Sequence, residues 1–146
     1  ELDAGPQDAA ERARLPYLDA VGKDALRLHP IVPDILRTLH EPMVLRGVEV
    51  PAGYCVAVAL TTIHHAPEIY PEPDTFRPER FIDSKPSAFE YLPFGGGHRR
   101  CIGAAMASYE IAQVLDVVVS DFELVLQEPE PVVEVRRQVV KTSPSD

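Results

Sequence analysis

Two segments of the chain repeat apolar residues at the spacing of an amphipathic helix. In the first, over residues 14–29, apolar side chains recur every three or four positions, which places them on one helical face. Its members are Leu15, Leu18, Val21, Ala25 and Leu28. Pro16 suits a first helical turn, and Pro30 ends the pattern. We therefore predict a helix over residues 14–29.

The second helical segment follows the only long glycine run of the chain. It covers residues 103–119, where the same spacing repeats. The face expected to turn inward carries Ala107, Ile111, Val114 and Val118.

Shorter apolar segments are typical of strands. Residues 43–50 and 54–60 are predicted as two strands separated by a turn at 51–53, and residues 122–127 and 132–140 alternate like two more. A short helix is expected after residue 60, with Thr61 or Thr62 as its cap. Because helices and hairpins are segregated along the chain, the pattern favours an α+β fold over an α/β fold.

Residues 67–93 form a proline-rich meander. The chain contains 15 prolines, and their density in this segment excludes long regular elements. Aromatic residues punctuate the segment at Tyr70, Phe76, Phe81, Phe89 and Tyr91. We predict an ordered but irregular coil that is held in place by its rings.

Length and charge narrow the class of protein. A chain of 146 residues is expected to form one domain. Its net charge of −9 disfavours nucleic acid as a partner, since phosphate binding requires a basic surface. No apolar run reaches the length of about 18 residues that a membrane-spanning helix requires. The chain has two cysteines, which favours a reducing, cytoplasmic compartment. The sequence does not begin with Met, so we expect an upstream portion, in which a membrane anchor would not be visible here.

The segment with the most distinctive chemistry is the cysteine loop, residues 94–103, which reads FGGGHRRCIG. It lacks the lysine and hydroxyl residue of a phosphate-binding P-loop. Cys101 precedes a predicted helix, whose dipole favours a thiolate, and three basic-capable residues stand beside it. Zinc is disfavoured because no second cysteine lies at CxxC spacing. Two interpretations remain open: a metal-bound thiolate beneath a large flat ligand, and an inert buried cysteine.

The fixed positions of this loop match the pattern F-x-x-G-x-R-x-C-x-G, with Phe94, Gly97, Arg99, Cys101 and Gly103 in place. The loop resembles the haem-binding loop of the cytochrome P450 superfamily, the haem-thiolate monooxygenases. The segments at 15–30, 50–58, 64–81 and 89–97 resemble that family too, in the same order. The resemblance implies that residues 1–146 are a single partial domain. It would be the C-terminal, haem-binding fragment of a mostly helical fold.

This resemblance implies haem b as the cofactor, with Cys101 as the axial thiolate of its iron. Arg99 would pair with a haem propionate, and Arg37 lies where the family commonly has a second propionate-binding arginine. Phe94 would pack beside the sulfur, while the glycines make room for the porphyrin. The implied cofactor-binding set is Phe94, Gly97, His98, Arg99, Cys101, Gly103 and Arg37. Arg100 is expected to be a solvated surface residue.

The family also carries an E-x-x-R pair that bonds to a later arginine. Here the pair is Asp24 and Arg27, and the later arginine is Arg80. The spacing of three places Asp24 and Arg27 on one helical face. Aspartate is one methylene shorter than glutamate, which puts its reach to both arginines in question. The other interpretation is an exposed helix pair that contributes a few tenths of a kcal/mol.

Two hypotheses of function follow from the resemblance. In the first, the chain is the C-terminal part of a monooxygenase that oxidises a small organic substrate with O2. Its partners would be the upstream part of the same enzyme and an electron-transfer protein, either a ferredoxin or a flavoprotein reductase. In the second, it is a truncated or solitary haem-binding or interaction module. No segment like the family's oxygen-activating AGxDT motif occurs in the sequence, so we expect this fragment alone to be inactive.

Overall fold

A computed structural model describes residues 15–125 and, for two short strands near the C-terminus, the backbone alone. In chain order the elements are α1 (Pro16–Leu28), β1 (Asp34–Thr38), β2 (Met43–Leu45), β3 (Val48–Val50), β4 (Cys55–Ala59), α2 (Leu60–His64), α3 (Arg80–Asp83), a 3-10 turn (Gly97–Arg99), α4 (Ala104–Asp121), β5 (Val135–Arg137) and β6 (Val140–Thr142). The strands pair antiparallel as β1–β4, β2–β3 and β5–β6. Two longer helices with small antiparallel sheets confirm the predicted α+β class.

Helix α1 begins and ends where its prolines require. Pro16 occupies its first turn, where the missing N–H costs nothing. His29 leaves the helical conformation, with φ −125° and ψ 66°, because the residue before a proline is disfavoured in the α region. The helix therefore lies inside the predicted range of 14–29, whose first residue falls outside the described part of the chain.

Helices α1 and α4 pack closely at a glycine. Leu18 of α1 and Ala112 of α4 form one buried cluster, and the partly buried Leu15 and Leu115 pack against it. At Gly22 a Cβ atom would lie only 3.0 Å from Ile111 Cγ2. The absence of a side chain at Gly22 thus permits the close approach of the two helices.

The face that α4 turns inward matches the predicted one only in part, since Ile111 belongs to both. Ala104 and Ala112 are buried, whereas Val114 of the predicted face is 60% exposed. The helix is apolar on several sides, so more than one set of residues satisfies the spacing of three and four. Packing against α1 then selects the face of Ala104, Ile111 and Ala112.

The predicted strand at residues 43–50 is wrong. Residues 43–50 are not one strand but the hairpin β2–β3, which turns through Arg46 (φ 48°) and Gly47 (φ 84°). Strand β4 pairs instead with β1, a strand that the sequence pattern did not indicate, with Ile35 opposite Val58. Strand β4 also leaves Cys55 exposed.

The short helix α2 is not capped by a threonine side chain. It begins at Leu60, and its first free N–H groups, those of Leu60 and Thr61, both point to the Pro33 carbonyl oxygen at 2.8 and 3.3 Å. Residues 122–125, predicted as the start of a strand, are not in regular structure. The rest of that segment, and residues 132–134 and 138–139, lie outside the described residues.

The proline-rich meander is irregular, with the four-residue helix α3 inside it. Its rings stack in series: Phe81 lies 6.4 Å from Tyr70 and 5.0 Å from Tyr91, measured between ring centroids. The Tyr91 hydroxyl donates to the Lys23 carbonyl of α1 at 3.2 Å. The coil is therefore fastened to the first helix just before the cysteine loop begins.

We expect Gly22→Leu to destabilise the chain by about 1–3 kcal/mol, because the new side chain must displace Ile111 in a packed contact. Ala25→Leu, at an exposed site of the same helix, is the matched control and is expected to change stability little. Thermal unfolding measures both. The double variant Gly22→Leu/Ile111→Ala should recover part of the loss; a double variant that loses the sum of both costs would contradict the contact.

Candidate functional site

A carboxylate at zero exposure lies at the centre of the described structure. Asp24 and Arg27 are both 0% exposed, which rules out a solvated helix pair. Arg27 Nε donates to Asp24 Oδ1 at 2.6 Å, and the backbone N–H of Arg77 donates to Oδ2 at 2.5 Å. Arg80 Nε lies 3.2 Å from Oδ1, an ion pair whose N–H is not aligned for a hydrogen bond.

The two arginines bind carbonyl oxygens of the meander. Arg27 Nη1 donates to the Pro73 oxygen at 2.5 Å, and Arg80 Nη1 donates to the Pro71 oxygen at 2.9 Å. Both guanidinium groups also reach the Thr75 oxygen at 3.2 Å. These donors satisfy backbone acceptors that have no strand or helix partner. The shorter aspartate suffices here because the coil brings its own N–H to the second oxygen.

His64 links this network to the cysteine loop. Its carbonyl oxygen accepts from Arg27 Nη1 at 3.0 Å, and its ring Nε2 accepts from the Leu92 N–H at 3.0 Å. Burial, together with the smaller effects of the charges of Arg27 and His65, lowers the pKa of His64 to about 4. The ring is therefore neutral near pH 7, with its proton on Nδ1.

Sequence reasoning missed the link between His64 and Leu92. The two residues stand 28 positions apart, and no spacing rule connects them. Of the two adjacent histidines, His64 is fully buried and His65 is partly exposed.

The cysteine loop owes its shape to glycines with positive φ. Gly95 has φ 72° and Gly97 has φ 64°, values that other residues rarely adopt. A Cβ at Gly95 would also lie 3.2 Å from Ile35 Cδ1 of β1. The loop closes where the Cys101 N–H donates to the Phe94 carbonyl oxygen at 2.9 Å. Backbone bonds thus hold Cys101 just before the start of α4.

The thiol of Cys101 is accessible to solvent. Cys101 is free and exposed, which contradicts the interpretation as an inert buried cysteine. Phe94 meets Cys101 through its backbone carbonyl, and the sulfur is not covered. Ile102, the next residue, is fully exposed as well, so apolar surface adjoins the thiol.

A cavity of about 650 Å³ lies between the β1–β4 sheet and the glycines of the loop. This volume falls within the roughly 300–1,000 Å³ of small-molecule and cofactor sites. Two arginines line it, Arg37 from β1 and Arg100 from the loop, together with Gly97. Arg100 is exposed, in agreement with the expectation of a solvated surface residue, and its side chain also borders this cavity.

The structure does not bring the whole predicted cofactor set to this cavity. Among the described residues, its lining includes none of Phe94, His98, Arg99, Cys101 and Gly103. His98 and Arg99 are exposed at the turn that precedes the cysteine.

The helices in the described part of the chain include none with the length and apolar character that a membrane crossing requires.

Comparison with known proteins gives consistent matches. The sequence model of the cytochrome P450 family matches residues 3–146. The chain is 42% identical over 108 residues to cytochrome P450 135B1 of Mycobacterium tuberculosis, covering 74% of this chain and 23% of that protein. It is 35% identical over 124 residues to cytochrome P450 137 of the same species, covering 85% of this chain and 26% of that protein.

Among solved structures, the chain is similar to a cyanobacterial CYP120A1 with retinoic acid bound. The TM-score is 0.68 at 33% sequence identity, covering 75% of this chain and 27% of that one. The chain thus spans about a quarter of the length of the relatives that it matches.

We expect Asp24→Asn to cost about 3–5 kcal/mol of stability, because it leaves buried arginines without their counter-charge. Asp19→Asn is the matched control on the same helix, since Asp19 pairs with Lys23 at the surface, where such pairs contribute about 0.3–0.5 kcal/mol. Urea unfolding measures both. Asp24→Glu keeps the charge and should cost less than Asp24→Asn; the opposite order would mean that the site tolerates no added methylene.

The free energy of unfolding should fall as the pH is lowered from 6.5 to about 4, because the unfolded chain then binds a proton at His64 that the folded chain does not. Above this window the full stability is present. Urea midpoints on both sides of the window measure the effect. His64→Gln removes the titrating ring, while the other histidines stay, so its midpoint should depend less on pH. An unchanged dependence would assign the effect to other groups.

Proposed function

Because the chain belongs to the cytochrome P450 family, we propose that it forms the cysteine-side, haem-holding part of a haem-thiolate monooxygenase. One observation carries the proposal: a backbone-locked loop presents an exposed thiol, Cys101, at the start of a helix. The position agrees with the family's fixed cysteine. The whole enzyme's activity belongs to the proposal, since the chain matches only about a quarter of each relative.

The residues present fit a haem. A soft thiolate is a ligand that iron accepts, and Cys101 is free to provide it. Haem carboxylates require cationic donors, and Arg37 lines the cavity beside the loop. Gly95 and Gly96 have no room for a side chain, since a Cβ would lie 3.2 Å from Ile35 or 3.0 Å from Leu92. At these two positions the cavity wall is thus bare backbone.

In this proposal Cys101 binds the iron as a thiolate, and Arg99 and Arg37 bind the propionates. When bound, haem b supplies oxygen activation at its iron, and a thiolate ligand raises the electron density there. The chain's own contribution is to hold the sulfur in place. The Cys101 N–H is already engaged by Phe94, so the loop need not reorganise to present the thiolate. Gly97 and Gly103 complete the loop, and His98 assists at the carboxylates.

The proposed partners follow from the surfaces around the thiol. Large apolar side chains are exposed just before and on α4, namely Ile102, Met106 and Tyr109, and the upstream part of the same enzyme is proposed to cover them. The exposed basic turn suits an acidic electron-transfer protein, a ferredoxin or flavoprotein reductase. The proposed substrate is a small organic molecule. The free cysteines are in keeping with a reducing, cytoplasmic compartment.

We expect the chain to bind haem through Cys101. After reconstitution with haem, reduction and addition of CO, the absorption band should be of the thiolate type. Cys101→Ala should abolish that band, because no other sulfur is placed in the loop. Cys55→Ala is the matched control, since Cys55 is also free and exposed. A thiolate band that survives in Cys101→Ala would refute the assignment. Haem binding without substrate oxidation in the complete polypeptide would instead favour a haem-binding module.

Arg99→Ala is expected to weaken haem binding by about tenfold, the effect of losing one charge-assisted hydrogen bond. Arg100→Ala should weaken it less, because the family pattern has its arginine at residue 99. Haem titration of both variants measures the two dissociation constants. The comparison decides between two candidates for the propionate role. The family pattern favours Arg99, whereas the cavity is lined by Arg100 and not by Arg99. A larger effect in Arg100→Ala would transfer the propionate role to that residue.

A further inference from the structure

The ring of His64 makes a buried hydrogen bond that has no role in the proposed function described above. The residue is 0% exposed, belongs to no cluster of potential metal ligands among the described residues and is remote in sequence from the cysteine loop. His64 accepts two hydrogen bonds, each at 3.0 Å. Its carbonyl oxygen accepts from Arg27, and its ring Nε2 accepts from the Leu92 N–H. Its Nδ1 is buried without a partner among the described residues.

Leu92 lies two residues before the cysteine loop and is hydrogen-bonded on both sides. Its N–H is held by His64, and its carbonyl oxygen accepts from the Gly95 N–H at 2.9 Å. Gly95 has a positive φ, and the carbonyl of Phe94, the residue before it, accepts from the Cys101 N–H at 2.9 Å. The bonds therefore run without a break from the buried network to the cysteine.

We propose that His64 is a positioning residue for Cys101, acting through the hydrogen bond from the Leu92 N–H to its Nε2. The inference rests on the proposed function only for the role of Cys101 as haem ligand. The placement of the loop by His64 is a separate claim about this fold. It predicts that an acceptor at the position of Nε2 is required, and that bulk alone does not replace it.

The surroundings of the ring keep Nε2 an acceptor. The ring lies near the rings of Tyr70 and Tyr91 from the meander, at centroid distances of 6.4 and 6.0 Å, and the charge of Arg27 on α1, which donates to the His64 carbonyl, acts on it. The neighbouring His65 adds a further titratable group. Protonation would place a second cation beside Arg27 in a buried site, and it would turn Nε2 into a donor that faces another donor.

A role in packing alone is the competing explanation, since the ring also lies between two tyrosines. The two explanations differ for paired substitutions. His64→Leu keeps much of the bulk and removes the acceptor, whereas His64→Gln can place its amide oxygen near the position of Nε2. Positioning predicts rescue by glutamine, and packing predicts that both variants behave alike.

The test is amide hydrogen exchange of the purified chain, followed by NMR at Leu92, Gly95 and Cys101. In His64→Leu the Leu92 amide should exchange about tenfold faster than in the wild type, as the loss of one buried hydrogen bond implies. In His64→Gln it should stay within about threefold of the wild-type rate. The haem-loaded variants should follow the same order, with the fraction of thiolate-type CO band reduced in His64→Leu and restored in His64→Gln.

Equal exchange rates in both variants, or an unprotected Leu92 amide in the wild type, would overturn the inference. Should His64→Leu fail to fold, the NMR chemical shifts of the ring nitrogens of wild-type His64 test the inference instead. A proton on Nε2 near pH 7 would overturn the inference, and a proton on Nδ1 would support it. Failure of the proposed function would look different. The thiolate band would then survive in Cys101→Ala, while the exchange of Leu92 would still depend on residue 64.

Discussion

The buried carboxylate of Asp24 is the contact on which the rest of the described structure depends. It brings two arginines and one backbone N–H to a single point at zero exposure. A meander without strands or long helices leaves its carbonyl oxygens unpaired, and buried acceptors of this kind are costly. Arg27 and Arg80 satisfy them only while Asp24 balances their charge. A helix of the fold thereby determines the path of a segment that has no regular structure of its own.

The same principle extends to the cysteine loop. Between Leu92 and Cys101 the chain has one 3-10 turn, and its geometry comes from separate hydrogen bonds and glycines with positive φ. Backbone groups are held while the sulfur stays exposed. That combination suits a ligand that must be presented to a large cofactor without moving on binding, because the ordering cost is met when the chain folds.

Several features could be predicted from local patterns in the sequence. The two helices follow from apolar spacing and from prolines, within about two residues of their observed ends. The irregular meander follows from proline density. Partners that lie far apart in sequence could not be predicted in this way. Strand β1 pairs with β4 across a hairpin, Val114 turns outward because another face of α4 packs on α1, and His64 meets Leu92 only in the folded chain.

X-ray absorption at the iron edge of the haem-loaded chain tests the central claim most directly, because it identifies the atoms bound to the metal without reference to activity. The account predicts one sulfur atom bound to iron, supplied by Cys101, in addition to the four nitrogens of the porphyrin. Iron bound by nitrogen and oxygen alone would contradict it.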